Sequence, residues 1–167
     1  MVSWCTQQLK RGNGEDSEGA FMLIQKTTEL GIQKFIPLLC ERSVVREINV
    51  ERAKKIATEA SEQSNRISVP EILKIQDLES FLKSFTEHGH LIFCDINCES
   101  SNLKNILSKK DPTCILIGPE GDFSENERQL IVSHKRTASI SLANNILRAE
   151  TAAIAATTIL SYNLNFK

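Results

Sequence analysis

Short continuous apolar runs alternate along this chain with longer stretches whose apolar residues recur every three or four positions. Leu91 to Cys94 and Cys114 to Ile117 are runs of the first kind and predict buried strands, and Ile32 to Leu39 and Thr137 to Leu142, though broken by polar residues, read as strands as well. Val2 to Thr6 and Pro70 to Ile75 are shorter strand candidates. Helical spacing covers Ala20 to Leu30, with Gly31 fitting the C-cap, and Glu51 to Asn65, with Ala53, Ile56, Ala57 and Ala60 on one side. Asp77 can cap a helix through Phe85, and Leu103 to Leu107 reads as a short helix. Ser124-Glu125-Asn126-Glu127 has the form of a capping box and starts another. Gln7 to Gly19 is polar, with Gly12, Gly14 and Gly19, and predicts a loop. The final helix, Ala149 to Leu160, is apolar around most of its circumference, which predicts burial on several sides, by the sheet and by a partner subunit. This alternation predicts one α/β domain over residues 1–167, with a mostly parallel sheet and helices on both faces.

Two turns follow the last two apolar runs. The first is Gly118-Pro119-Glu120-Gly121-Asp122; the second is Leu142-Ala143-Asn144-Asn145-Ile146-Leu147-Arg148. In parallel sheets ligands bind beyond the carboxyl ends of strands, so both turns mark the expected site. Glycines on either side of Pro119-Glu120 let the backbone approach a ligand closely. The first turn lacks the patterns of a P-loop or a dinucleotide fold. No lysine stands ready for a triphosphate, and Glu120 and Asp122 repel one. A cationic cofactor, or one carrying adenosine without phosphates, suits it better. Spacing alone leaves plainer readings open: Gly-Pro-Glu-Gly is also an ordinary tight turn. Ile146 and Leu147 either staple the last helix to the core or clamp a flat ring. Arg148 either pairs with Glu150 or with helix-end carboxylates, or faces a nucleic-acid phosphate.

Composition narrows the classes. At 41% hydrophobic and 25% charged, 167 residues are enough for one cored domain. No apolar run approaches the roughly 18 residues that span a bilayer, and Met1 to Arg11 lacks the form of a secretory signal. The net charge is −1 with both signs interspersed, so nucleic-acid binding needs a local patch. Arg42 and Arg66 at element ends, near Arg46, Arg52, Lys54 and Lys55, are candidates for phosphate contacts, as is the Lys10-Arg11 pair. Glu41, Glu47 and Glu51 dilute that charge. The five cysteines are an odd, scattered set without a Cys-x-x-Cys pair, and three of them lie in or beside predicted strands, where a free thiol acts as a small apolar side chain; this favours a reducing cytoplasm. His88, His90, Cys94 and Cys98 do not match zinc-site spacings, so no metal is expected.

Four separated segments carry a family resemblance. They are Gln25 to Gly31; Glu41-Arg42-Ser43; Glu59 to Arg66 with Pro70-Glu71; and Ile117 to Phe123 with Ser141 to Ala153. In this order they resemble the 16S rRNA (uracil-N3) methyltransferases, the RsmE family of the SPOUT superfamily. The resemblance implies an α/β fold with a C-terminal deep trefoil knot, against the general avoidance of knots. It implies S-adenosylmethionine held between Ile117, Gly118, Pro119, Glu120 and Gly121 on one wall and Leu142, Ala143, Asn144, Ile146, Leu147 and Arg148 on the other. It also implies a homodimer acting on 16S rRNA in the small ribosomal subunit.

The implied reaction moves a methyl group to N3 of a uridine. That nitrogen is protonated at neutral pH, so a base or a positive charge that stabilises the uracil anion is required. Arg148 or Arg66 is expected to supply charge, and Glu29 or Glu150 to handle or position the proton. Three features depart from the family pattern. The N-terminal PUA-like RNA-binding barrel of family members is expected to be absent from this chain. Asp122 and Ala143 each stand where glycine is usual. The alternative these departures motivate is a knotted dimeric RNA-binding remnant with little or no activity.

Overall fold

The computed structural model describes residues 2–5, 10–11, 15–16, 18–43, 48–85, 89–98, 101, 103–107, 111–119 and 121–165. In chain order the elements are β1 (Val2–Cys5), β2 (Lys10–Arg11), β3 (Glu15–Asp16), α1 (Glu18–Glu29), β4 (Lys34–Leu39), α2 (Val50–Gln63), β5 (Glu71–Ile72) and β6 (Gln76–Asp77). They continue with α3 (Leu78–Ser84), β7 (His90–Cys94), α4 (Leu103–Ile106), β8 (Thr113–Ile117), α5 (Glu125–Ser133), β9 (Thr137–Ile140) and α6 (Ala149–Asn165). The main sheet runs β5-β4-β1-β8-β7-β9, with β6 also on β4, and every pairing in it is parallel.

Alternate residues of the central strands feed two cores. Ile92 of β7 and Ile115 and Ile117 of β8 pack with Phe21, Leu23 and Ile24 of α1 and with Ala153 and Ala156 of α6. Leu91 and Phe93, with Cys114 and Leu116, pack with Phe81 and Leu82 of α3 and Ile131 of α5. Both faces of the sheet are therefore covered, which is why these strands read as unbroken apolar runs rather than alternating ones.

Sequence expectations hold for most elements, with three corrections. The loop expected over Gln7 to Gly19 holds an antiparallel pair, β2 on β3, and α1 begins at Glu18. Two-residue strands carry too few positions for any periodicity to register. The one strand expected over Pro70 to Ile75 is two short ones, β5 against Lys34 and Phe35 and β6 against Leu38 and Leu39. Cys40 is disulfide-bonded, which the expectation of a reducing cytoplasm did not foresee, while Cys94, Cys98 and Cys114 are thiols. Spacing gave no sign of that bond, because disulfide connectivity is not readable from cysteine positions alone. Among the described residues no helix is long and apolar enough to cross a membrane.

The polar residues at the ends of α1 and α2 have a chemical role there. Gly31 (φ +97°) ends α1, with Ile32 N donating to Thr27 O at 3.0 Å and Gly31 N to Thr28 O at 2.9 Å. Asn65 (φ +53°) ends α2 in the same way, with Arg66 N donating to Ser61 O at 2.9 Å. Both are Schellman-type ends that satisfy the last carbonyls. Arg66 then turns onto the end of α1: its Nη1 donates to Thr28 O at 2.6 Å and Ile32 O at 2.8 Å. Partial burial pushes its guanidinium pKa down. Arg66 thus joins two helix ends.

Candidate active site

The turn after β8 is held by several local contacts. Asp122 N donates to Pro119 O at 3.0 Å, closing a tight reversal. Asp122 sits at φ +58°, the left-handed region where aspartate is tolerated best among non-glycine residues after asparagine. Its Oδ1 accepts from Phe123 N at 2.8 Å and so offsets part of that strain. Phe123 is buried, edge-on to Phe93 with ring centroids 5.5 Å apart. A Cβ on Gly118 would meet the Phe123 ring at 3.1 Å, so glycine there allows Phe123 to tuck under the turn. Ser124 and Glu127 form the capping box expected from the sequence. Glu127 Oε2 accepts from Ser124 N at 2.9 Å, and its Oε1 accepts from Glu41 N at 2.7 Å.

Facing it, the turn after β9 is more open. Residues 144–146 are exposed, and Ser141 Oγ donates to Ala143 O at 3.2 Å. One cavity lies between the turns. Its described lining is Cys94, Asp95, Ile96, Ile117, Gly118, Pro119, Asp122, Leu142, Ala143, Asn145, Ile146, Leu147, Ala149 and Ala152. The carboxyl ends of the three neighbouring strands β8, β7 and β9 thus converge on it. The lining is mainly apolar. It includes the carboxylates of Asp95 and Asp122 but no lysine or arginine among the described residues.

Asp95 is buried, with its side chain 4% exposed. Arg128 Nη2 donates to its Oδ2 at 2.7 Å and Nε to the same oxygen at 3.1 Å, while Asn97 N donates to Oδ1 at 2.8 Å. The bond to Asp95 pushes the Arg128 pKa up. Burial pushes the Cys94 thiol up to about 12, so it lines the cavity as a neutral, weakly polar group.

The cavity gathers Ile117, Gly118, Pro119, Leu142, Ala143, Ile146 and Leu147 from the two sequence-predicted walls. Gly121 stands beside it with its carbonyl turned to Arg42, and Asn144 is exposed next to lining Asn145. Glu120 lies outside the described residues. Arg148 is exposed between lining residues Leu147 and Ala149, and Glu150 is half-buried in the first turn of α6. Arg66 and Glu29 are not in the cavity wall: Arg66 is bonded to the end of α1, and Glu29 pairs with Lys26 at 2.9 Å. Lys10 and Arg11 form β2, and their side chains lie outside those described. His88 also lies outside the described residues; among those described, no group of three His, Cys, Asp or Glu side chains is arranged to hold a metal.

Sequence reasoning missed Cys94, Asp95 and Ile96. The signal was present, because a parallel strand ending at Cys94 must deliver the next residues to the same edge as the two turns.

A family described as the RNA methyltransferase domain matches residues 17–161. The chain belongs to this family. The family resemblance read from the four sequence segments is therefore upheld. The methyltransferase domain is 40% identical over 139 residues to Ribosomal RNA small subunit methyltransferase E of Rickettsia conorii. That match covers 81% of this chain and 56% of the relative, so the chain spans little more than half of the relative's length. Among solved structures, the domain is similar to Ribosomal RNA small subunit methyltransferase E from Neisseria gonorrhoeae bound to S-adenosyl methionine, with TM-score 0.82 and 27% identity. There the overlap is 98% of this chain and 66% of the other. In fold alone it is also similar to the SpoU methyltransferase AviRb from Streptomyces viridochromogenes, with TM-score 0.52 and 18% identity over 98% of this chain and 56% of the other.

Proposed function

We propose that this methyltransferase domain binds S-adenosylmethionine between its two turns and transfers the methyl group to N3 of a uridine in 16S rRNA. The observation that carries the reading is the slot: apolar walls, the carboxylates of Asp95 and Asp122, and no cationic side chain in its described lining. Such a lining fits an adenosine bearing a positive sulfonium and disfavours phosphates. When bound, this cofactor supplies an electrophilic methyl group.

The chain's own residues do the rest. Gly118 and Pro119 offer close-approaching backbone, and Leu142, Ile146 and Leu147 enclose the flat ring. Ile146, 86% exposed, gains burial when a ring covers it. The Arg148 carbonyl accepts from Ala152 N at 2.8 Å at the start of α6, while its side chain is exposed beside the cavity, so its charge is available to the uracil anion. Of the two carboxylates considered for proton handling, Glu150 is favoured, since Glu29 is already paired. Alignment of nitrogen, methyl and sulfur supplies much of the remaining rate. The target uridine must be unpaired, because base pairing hides N3.

The same reading includes a C-terminal trefoil knot, a homodimer and a cytoplasmic site of action. Ile154, Ala155 and Ile159 of α6 are half-buried and Tyr162 is 66% exposed, a suitable face for a second copy. The test is transfer of labelled methyl groups to isolated small ribosomal subunits. The product should be 3-methyluridine; cofactor binding without any subunit methylation would overturn the substrate assignment.

Ala152 lies in the cavity wall on α6 and is 9% exposed. Ala152→Phe should occupy the slot and weaken S-adenosylhomocysteine binding about a hundredfold, close to 3 kcal/mol. Calorimetry reads this, and circular dichroism should show the helices retained.

A further inference from the structure

Arg42 stands in the turn that follows β4, far from the cavity in sequence. That turn is closed on itself by Cys40 N donating to Ser43 Oγ at 2.8 Å and Ser43 N to Cys40 O at 2.9 Å. It is then fastened once to the turn after β8 and once to the first turn of α5. Arg42 Nη1 donates to Gly121 O at 2.7 Å, and Glu41 N donates to Glu127 Oε1 at 2.7 Å. Glu127 in turn holds Ser124. The fastened segment is the one in which Asp122 keeps positive φ and Gly118 yields space to Phe123. A charged donor on a turn carbonyl fixes the peptide plane more firmly than a neutral one.

We propose that Arg42 is a positioning residue for the cofactor wall: by holding the Gly121 carbonyl it keeps Gly118, Pro119, Gly121 and Asp122 in the arrangement that receives the cofactor. Its first effect is therefore on cofactor affinity, with RNA absent, rather than on phosphate contact. The inference rests on the proposed cofactor, and the test separates the two.

S-adenosylhomocysteine is titrated calorimetrically into the unaltered chain, Arg42→Ala, Arg42→Lys and Lys54→Ala, without RNA. Arg42→Ala should weaken binding about five- to tenfold, the scale for loss of one hydrogen bond at an exposed site. Arg42→Lys should recover part of the loss. Lys54→Ala removes the same charge from exposed α2 and should leave affinity unchanged, which excludes a general electrostatic effect. In methyl-transfer assays Arg42→Ala should raise KM for the cofactor and leave KM for the small subunit near its original value. Equal affinity for Arg42→Ala and the unaltered chain, or a rise confined to KM for the subunit, overturns the positioning role. If Arg42→Ala does not fold, equal affinity for Arg42→Lys and Lys54→Ala is the overturning result, and a loss confined to Arg42→Lys supports the role. Failure of the unaltered chain to bind instead removes the proposed function.

Discussion

Gly89→Ala should lower the unfolding free energy by about 4 kcal/mol, a loss at the severe end for one added methyl group. Gly89 lies just before β7 at φ +122°, a conformation that side chains other than hydrogen rarely adopt. An ideal Cβ there would stand 2.6 Å from Pro112 O and 3.2 Å from Pro112 Cγ. Pro112 O is not free to retreat, because it accepts from His90 N at 2.9 Å. That bond opens the β7–β8 pairing, in which His90 stands opposite Thr113 and Leu91 opposite Cys114. Relief of the clash would therefore spread into the two strands whose far ends build the cavity. Urea titration of both proteins measures the loss. A change below about 1 kcal/mol would mean that the turn relaxes locally and that the β7–β8 start is not the constraint inferred here.

Arg148→Ala should reduce the single-turnover methyl-transfer rate about 10²- to 10³-fold, the scale expected when one preorganised charge is removed from a developing anion. Cofactor affinity should change by no more than about threefold, because the exposed guanidinium is not part of the cavity lining. Arg148→Lys should retain the charge but not the planar donor array, and is expected to fall between the two. The rate assay must be run at saturating cofactor so that binding and chemistry separate. A tenfold or smaller effect on rate, or a large effect on affinity, would assign Arg148 to something other than charge stabilisation.

Much of the site was legible in the sequence because its two turns carry local chemistry. Glycine, proline and the Ser124 to Glu127 box announce reversals and a helix start within a few residues. The strands β4, β7 and β8 were equally plain, since burial on both faces leaves continuous apolar runs. What escaped was nonlocal. Asp95 reads as an ordinary strand-end acid until Arg128 is brought to 2.7 Å by the fold. Arg66 and Arg42 look alike as arginines after polar clusters, yet one fastens two helix ends and the other holds a turn carbonyl. Neither bond could be read beforehand, because an arginine's partner 34 to 79 positions away leaves no trace in spacing. The strands β5 and β6 were blurred into one because each has only two residues.

What occupies the slot between Gly118 and Leu147 decides the function. Calorimetric titration of the unaltered chain with S-adenosylmethionine, S-adenosylhomocysteine and ATP addresses it directly. One site per chain with micromolar affinity for the first two, no measurable heat with ATP, and loss of binding in Ala152→Phe is the predicted result. Silence with both sulfur ligands, or tighter binding of the triphosphate, would contradict it.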